Sequence, residues 1–179
     1  FPAIVKTRSP NSLLSHACIG TGNMAGSDLR SLKACRDLHV TALCDVDSVY
    51  LDAAKKLCPD ARVYRDAFEM FAKEGDRIDS VNVSTPDHTH AQYILEGLRR
   101  GLNVYAQKPL CHDLGDCRRI EKLAAEKGLY FADIMTERNE ITTILQRALV
   151  AAKDLYGEQE KGTPDDPAVT KVSGHHFCK

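Results

Sequence analysis

Gln107-Lys108-Pro109 places a lysine directly after the apolar run Leu102 to Ala106 and ahead of a proline. An amine at a strand end beside a cleft gives up a proton more readily once desolvated, and can then handle the proton of a substrate hydroxyl. An ordinary surface lysine fits the same spacing. Ser84-Thr85-Pro86-Asp87-His88-Thr89-His90 follows another apolar run and offers two imidazoles, His88 and His90, for acid–base work. Thr85 as an N-cap with Pro86 at the first helical position explains that stretch equally well as a plain helix start. Gly20-Thr21-Gly22-Asn23-Met24-Ala25 is a G-x-G-x-x-[G/A] arrangement between Ala17–Ile19 and a helical pattern through Leu29 and Leu32. Gly20 would permit a tight turn, Gly22 would let the backbone approach a pyrophosphate, and Ala25 would let helix and sheet pack closely. The helix start would offer free N–H groups to the phosphates. A glycine turn with no ligand fits these letters too.

Asp45 ends the next apolar run, where an acidic side chain accepts hydrogen bonds from an adenine ribose. Val46, Asp47 and Ser48 follow it without a base, so a 2′-phosphate would meet negative charge and NAD is favoured over NADP. One of Asp45 and Asp47 is expected to cap the following helix.

These groups need a scaffold that brings strand ends together. Short β-like runs at Ser15–Ile19, His39–Cys44, Arg62–Tyr64, Ile78–Val83, Leu102–Ala106 and Leu129–Ala132 alternate with helical patterns. The helices are read from Val49, Ala53 and Leu57; from Phe68 and Phe71; from Ala91, Ile94, Leu95 and Leu98; and from Leu114, Cys117, Ile120 and Ala124. Such alternation predicts an α/β fold with a doubly wound parallel sheet, in the Rossmann strand order 3-2-1-4-5-6. Residues 1–14 read as an arm and 15–135 as the nucleotide-binding domain. Residues 136–179 read as a linker helix, with a stripe from Ile141 to Ala152, and an extended tail taken as the start of a truncated substrate domain.

Composition narrows the classes. The 179 residues carry a formal net charge of -1, 43% hydrophobic and 6% aromatic residues. That balance argues against a nucleic-acid binder, and no apolar run is long enough for a membrane helix. Cys18 and Cys44 fall inside strand patterns as small hydrophobes, favouring a reducing compartment and hence the cytoplasm. A periplasmic site is the alternative if a signal peptide preceded Phe1. Cys111, His112, Cys117, His175, His176 and Cys178 match no structural zinc spacing, so no metal is expected.

Taken together, the chain resembles the glucose–fructose oxidoreductase / inositol dehydrogenase / rhizopine-catabolism (Gfo/Idh/MocA) family. The resemblance rests on Gly20-Thr21-Gly22-Asn23-Met24, Cys44-Asp45-Val46-Asp47, Ser84 through His90, and Val104-Tyr105-Ala106-Gln107-Lys108-Pro109-Leu110, within about Ala17 to Gly128. It implies an NAD(P)-dependent oxidoreductase acting on a sugar or polyol, and a homo-oligomer. Cofactor contacts would come from Gly20, Thr21, Gly22, Asn23, Met24, Asp45, Ser84, Thr85, Pro86, His88, His90, Gln107, Lys108 and Pro109. The proton-handling lysine of the family's Glu-Lys-Pro motif falls on Lys108, with Gln107 in place of the glutamate. The tail from Asp133 through His175-His176-Phe177 is similar to a different branch, of oxidoreductases without a known substrate. The family continues into a second α/β domain that supplies further proton-transfer residues, and this chain ends before it. The alternative is therefore an NAD-binding module without turnover.

Overall fold

The computed structural model describes residues 13–135 and 140–156. Its first compact unit ends at Met135. Strands β1 (Leu14–Ile19), β2 (Leu38–Cys44), β3 (Arg62–Tyr64), β4 (Ser80–Val83), β5 (Asn103–Ala106) and β6 (Phe131–Asp133) form one sheet in the order β3-β2-β1-β4-β5-β6. All pairs are parallel. Helices α1 (Asn23–Ala34), α2 (Ser48–Leu57), α3 (Ala67–Glu74), α4 (His90–Arg99) and α5 (Leu114–Lys127) supply the crossovers that parallel strands require.

The period-2 alternation of the strands sorts their side chains onto two faces. Ala17, Ile19, Ala42, Cys44, Val81, Val83, Val104 and Ala106 meet Met70, Phe71, Ile94, Leu98 and Ile120 of α3, α4 and α5 in the larger core. Cys18, Leu43 and, across an irregularity in the β1–β2 register, Val40 meet Leu29, Leu51, Ala54 and Cys58 on the α1–α2 side. Ala25, in the last slot of the glycine motif, is 3% exposed.

Several local expectations are corrected. In α2 the inward stripe is Leu51 and Ala54, followed by Cys58, while Val49 and Ala53 face solvent. In α3 Met70 joins Phe71 inside and Phe68 is exposed. Both helices begin at an aspartate cap, Asp47 and Asp66, and those starts set the rotation of the helix. Thr85 does not cap α4. A 3-10 turn, Asp87–Thr89, intervenes, and Thr85 Oγ1 instead accepts from Thr89 Oγ1 at 2.7 Å. The cap expected from one of Asp45 and Asp47 is present: Asp47 caps α2, accepting from the Val49 amide at 2.8 Å.

The other described residues form α6 (Ile141–Ala151) and the short α7 (Lys153–Tyr156). Ile141, Ile144, Leu145 and Leu149 of α6 are exposed. No helix among the described residues is long and apolar enough to cross a membrane.

Candidate functional site

Parallel strands all end on one sheet edge, so the loops leaving β1, β2, β4 and β5 converge there. Hydrogen bonds carry the ladder past the strand ends: Gly20 N–H donates to Cys44, Ser84 N–H to Ile19 and Gln107 N–H to Val83, each at 2.8 Å. The turn after β1 depends on Gly20. Its φ is +88°, and a Cβ there would lie 2.3 Å from the Ser84 carbonyl oxygen. Any side chain would push the β1 and β4 loops apart.

A cavity of about 470 Å³ opens at this edge. Gly20, Gly22, Asn23, Asp45, Ser84, Thr85, Pro86 and His88 line it, together with Ile19, Ala67, Tyr50, Tyr93 and Arg65. Eight residues singled out from sequence therefore share one concavity. Thr21 is buried in the turn, and Met24 is exposed on the first turn of α1. His90, Gln107, Lys108 and Pro109 are not among the residues lining the cavity.

The helix that opens onto the cavity shares with α4 the absence of a side-chain cap and of an acidic first-turn residue, and differs in both from α3 and α5. Aspartate side chains cap α2, α3 and α5, through Asp47, Asp66 and Asp113. At α1 Gly22 offers no side-chain cap, and the first turn holds no acidic residue. Its amides are thus left for an anion, with the positive end of the helix dipole behind them. Asn23 adopts a left-handed φ of 48°, which asparagine tolerates better than most residues. Gly22 has a second use: a Cβ there would lie 2.5 Å from the Tyr50 ring. The missing side chain seats an aromatic wall of the cavity, Tyr50 of α2, whose hydroxyl donates to Asn23 Oδ1 at 3.4 Å.

Asp45 ties the glycine turn to the end of β2. Its Oδ2 accepts from the Thr21 amide at 2.7 Å and Thr21 Oγ1 at 3.0 Å, and Oδ1 accepts from the Asp47 amide at 3.0 Å. A carboxylate offers roughly four acceptor sites, so capacity remains for a ligand hydroxyl. Arg65, just past β3, reaches the same cavity and donates to the Val46 carbonyl at 2.6 Å. Sequence spacing around Asp45 gave no sign of this base, because β3 becomes a neighbour of β2 only in the sheet.

The β4 and β5 loops are held by polar groups that sequence reasoning missed. Asp28 of α1 accepts at Oδ2 from Ser84 Oγ at 2.8 Å and from Gln107 Nε2 at 3.0 Å. Gln107 Oε1 in turn accepts from the Lys108 amide at 3.2 Å. Behind Ser84 the row continues through Asn82 to His16, whose rings and amides lie on the same strand face: Asn82 Nδ2 donates to Ser84 Oγ at 2.9 Å. Asn82 Oδ1 then faces His16 Nε2 at 3.3 Å, and Ser80 Oγ faces Nδ1 at 2.7 Å. Burial depresses the His16 pKa to about 4, so the ring is neutral and donates through Nε2. The alternation Ser80, Asn82, Ser84 was the available signal, being polar on one face of an otherwise apolar strand.

His90 is 1% exposed and lies inside, not along the cleft. Its Nδ1 is 2.8 Å from the Pro109 carbonyl oxygen and its Nε2 is 2.7 Å from that of Thr85. One ring thus joins the loop after β4 to the loop after β5. Lys108 is exposed and is followed by a cis peptide bond to Pro109. His88 is exposed at the cavity rim. No cluster of metal-ligating side chains occurs among the described residues. His175, His176 and Cys178 lie outside the described residues.

The donor set suits a dinucleotide: uncapped amides for phosphate, a carboxylate with spare acceptor capacity for a ribose, and aromatic and aliphatic walls. Comparison with known proteins agrees. The family model described as "Oxidoreductase family, NAD-binding Rossmann fold" matches residues 14–133, and a model for a putative oxidoreductase C-terminal domain matches 145–179. D-apiose dehydrogenase of Paraburkholderia graminis is 29% identical over 113 residues, 63% of this chain and 30% of that protein. Inositol 2-dehydrogenase of Rubrobacter xylanophilus is 26% identical over 122 residues, 68% of this chain and 34% of that protein. The chain spans about a third of the length of these curated relatives. Scyllo-inositol dehydrogenase from Lactobacillus casei, solved with NAD(H) and scyllo-inositol, shares the fold at a TM-score of 0.69 and 21% identity. That match covers 80% of this chain and 42% of that one.

Proposed function

Since the chain belongs to the Gfo/Idh/MocA family of oxidoreductases, with an NAD-binding Rossmann fold over residues 14–133, we propose that its cleft holds NAD beside a sugar or polyol. When bound, the nicotinamide exchanges a hydride with a carbinol carbon. The chain's own residues do the rest. The amides opening α1, at Asn23 and Met24, bind the pyrophosphate. Asp45 accepts from the adenosine ribose, and Asp47 and Asp66 beside it disfavour a 2′-phosphate. The guanidinium of Arg65, which lines that cavity, is engaged by the Val46 carbonyl. Ser84, Thr85 and Pro86 orient the far end of the dinucleotide. Lys108 takes or returns the proton of the substrate hydroxyl at Nζ, its backbone fixed by Gln107 and Asp28. The names of the curated relatives support the sugar and polyol class.

One observation carries this reading: an uncapped helix start, Asp45 and the Thr85–Pro86 loop share a single cavity. NADH fluorescence titration of the chain tests it. Asp45→Ala should weaken NADH at least tenfold, for lost hydrogen bonds worth about 1–3 kcal/mol, while Lys108→Ala leaves affinity within twofold. Absence of NADH binding, or an Asp45→Ala affinity equal to the parent's, overturns it. Turnover over a polyol panel then decides between dehydrogenase and binding module. If the chain turns a polyol over, Lys108→Ala must abolish that rate; a full rate in the variant removes Lys108 from the mechanism. Self-association through the apolar side chains of α6 belongs to the same reading, and light scattering from a clean monomer counts against it.

A further inference from the structure

Cys111 and Cys117 stand apart from the other described cysteines. Cys18, Cys44 and Cys58 are buried, and Cys35 is exposed with no cysteine beside it among the described residues. The Cys111 and Cys117 sulfurs are 2.8 Å apart, and both residues are partly exposed. They are held there by one peptide group. The Asp113 carbonyl accepts from the Cys111 thiol at 3.4 Å and from the Cys117 amide at 3.1 Å. The Asp113 side chain also caps α5, accepting from the Asp116 amide at 3.0 Å. The pair therefore joins the stretch just beyond Lys108-Pro109 to the first turn of α5. Sulfurs at this separation need to approach by less than about 1 Å to reach bonding distance of about 2.05 Å.

We infer that Cys111 and Cys117 are a reversible thiol–disulfide site, closed by exchange with a low-molecular-weight disulfide such as oxidised glutathione. Burial pushes the Cys111 thiol up to about 12, with the Cys117 thiol and Asp116 adding to it. The Cys111 S–H is also tied to the Asp113 carbonyl while Cys117 sits on the first turn of α5, so Cys117 attacks first. Its thiolate forms a bond to one glutathione sulfur and expels the other as a thiolate, which takes a proton from solvent. Cys111 then loses its proton, attacks the Cys117 sulfur and expels the second glutathione. The two protein thiols are oxidised by two electrons, and the small disulfide is reduced to two thiols. In a reducing compartment such a bond is transient and reports the redox state.

The test uses the whole chain, reduced and then equilibrated in glutathione buffers of graded ratio, acid-quenched, alkylated and mapped by peptide mass spectrometry. Cys111 and Cys117 should lose alkylation together, in one linked species lighter by two hydrogen atoms, at ratios where Cys18 remains a thiol. Cys111→Ser should trap Cys117 as a glutathione adduct, and Cys117→Ser should leave Cys111 a free thiol at the same ratios. The inference falls if both remain separately alkylatable where exposed Cys35 is glutathionylated. It also falls if either bonds instead to another cysteine. Neither result bears on NADH binding, so failure here is distinguishable from failure of the cofactor reading.

Discussion

The two halves of the carboxyl edge are built on opposite plans. On the side of β1, β2 and β3 the groups facing the cavity are left with bonding capacity to spare: the α1 amides lack a side-chain cap and Asp45 keeps an acceptor site. On the side of β4 and β5, buried groups bond to one another. Asp28, Ser84 and Gln107 form one link, and His90 bridges Thr85 to Pro109. Lys108 stands exposed beyond this locked frame. The difference separates an edge whose donors and acceptors stay open, as binding requires, from a frame whose polar groups hold one another in fixed places.

Gly20 joins the halves, and its replacement should have the largest effect. Gly20→Ala combines a left-handed φ with a clash against the Ser84 backbone and should cost more than about 3 kcal/mol in urea unfolding. A near-native midpoint would mean that the two loops yield independently. The polar row behind Ser84, which runs back to His16 on β1, should also respond to acid. His16 has its pKa lowered from 6.5 to about 4, so the unfolded chain binds the proton first. Stability present above pH 6.5 should fall as pH drops toward 4, by roughly 3 kcal/mol in all, and His16→Gln should flatten that slope. His90→Ala strips the loop bridge and should cost roughly 2 kcal/mol, with faster hydrogen exchange confined to the Thr85 and Pro109 loops. Uniform loss of protection would make His90 a mere core residue.

Gln107→Glu sets a second carboxylate against Asp28 and should cost about 1–2 kcal/mol at neutral pH. One carboxyl is then raised above its unfolded value, so stability is full in acid and lost as pH rises through the raised pKa. Adding Asp28→Asn should restore it. On the open side Asp47→Ala removes a helix cap and should cost only about 1 kcal/mol in the same unfolding assay, leaving NADH affinity unchanged.

The fold and the open half were legible because their signals are local. A glycine turn, an apolar run ending in Asp45 and a helix start each occupy a few adjacent residues. The locked half was not legible in the same way. Asp28 lies 79 positions from Gln107, and His90 lies 19 from Pro109. By spacing alone Asp28 is one more polar residue of α1, and His90 one more imidazole at the cleft. Val49 and Phe68 misled for a related reason, since periodicity alone does not set where a helix begins to rotate.

The sequence alone determined the strand–helix alternation, the sheet order and the residues gathered at one edge, because periodic burial and turn chemistry act between near neighbours. Tertiary structure alone decided that Arg65 enters the cavity beside the end of β2, that Tyr50 fills the space above Gly22, and that Asp28 and His90 lock the loops around Lys108. Those contacts are made by side chains on elements adjacent only after the sheet has formed, where distance in space no longer follows distance along the chain.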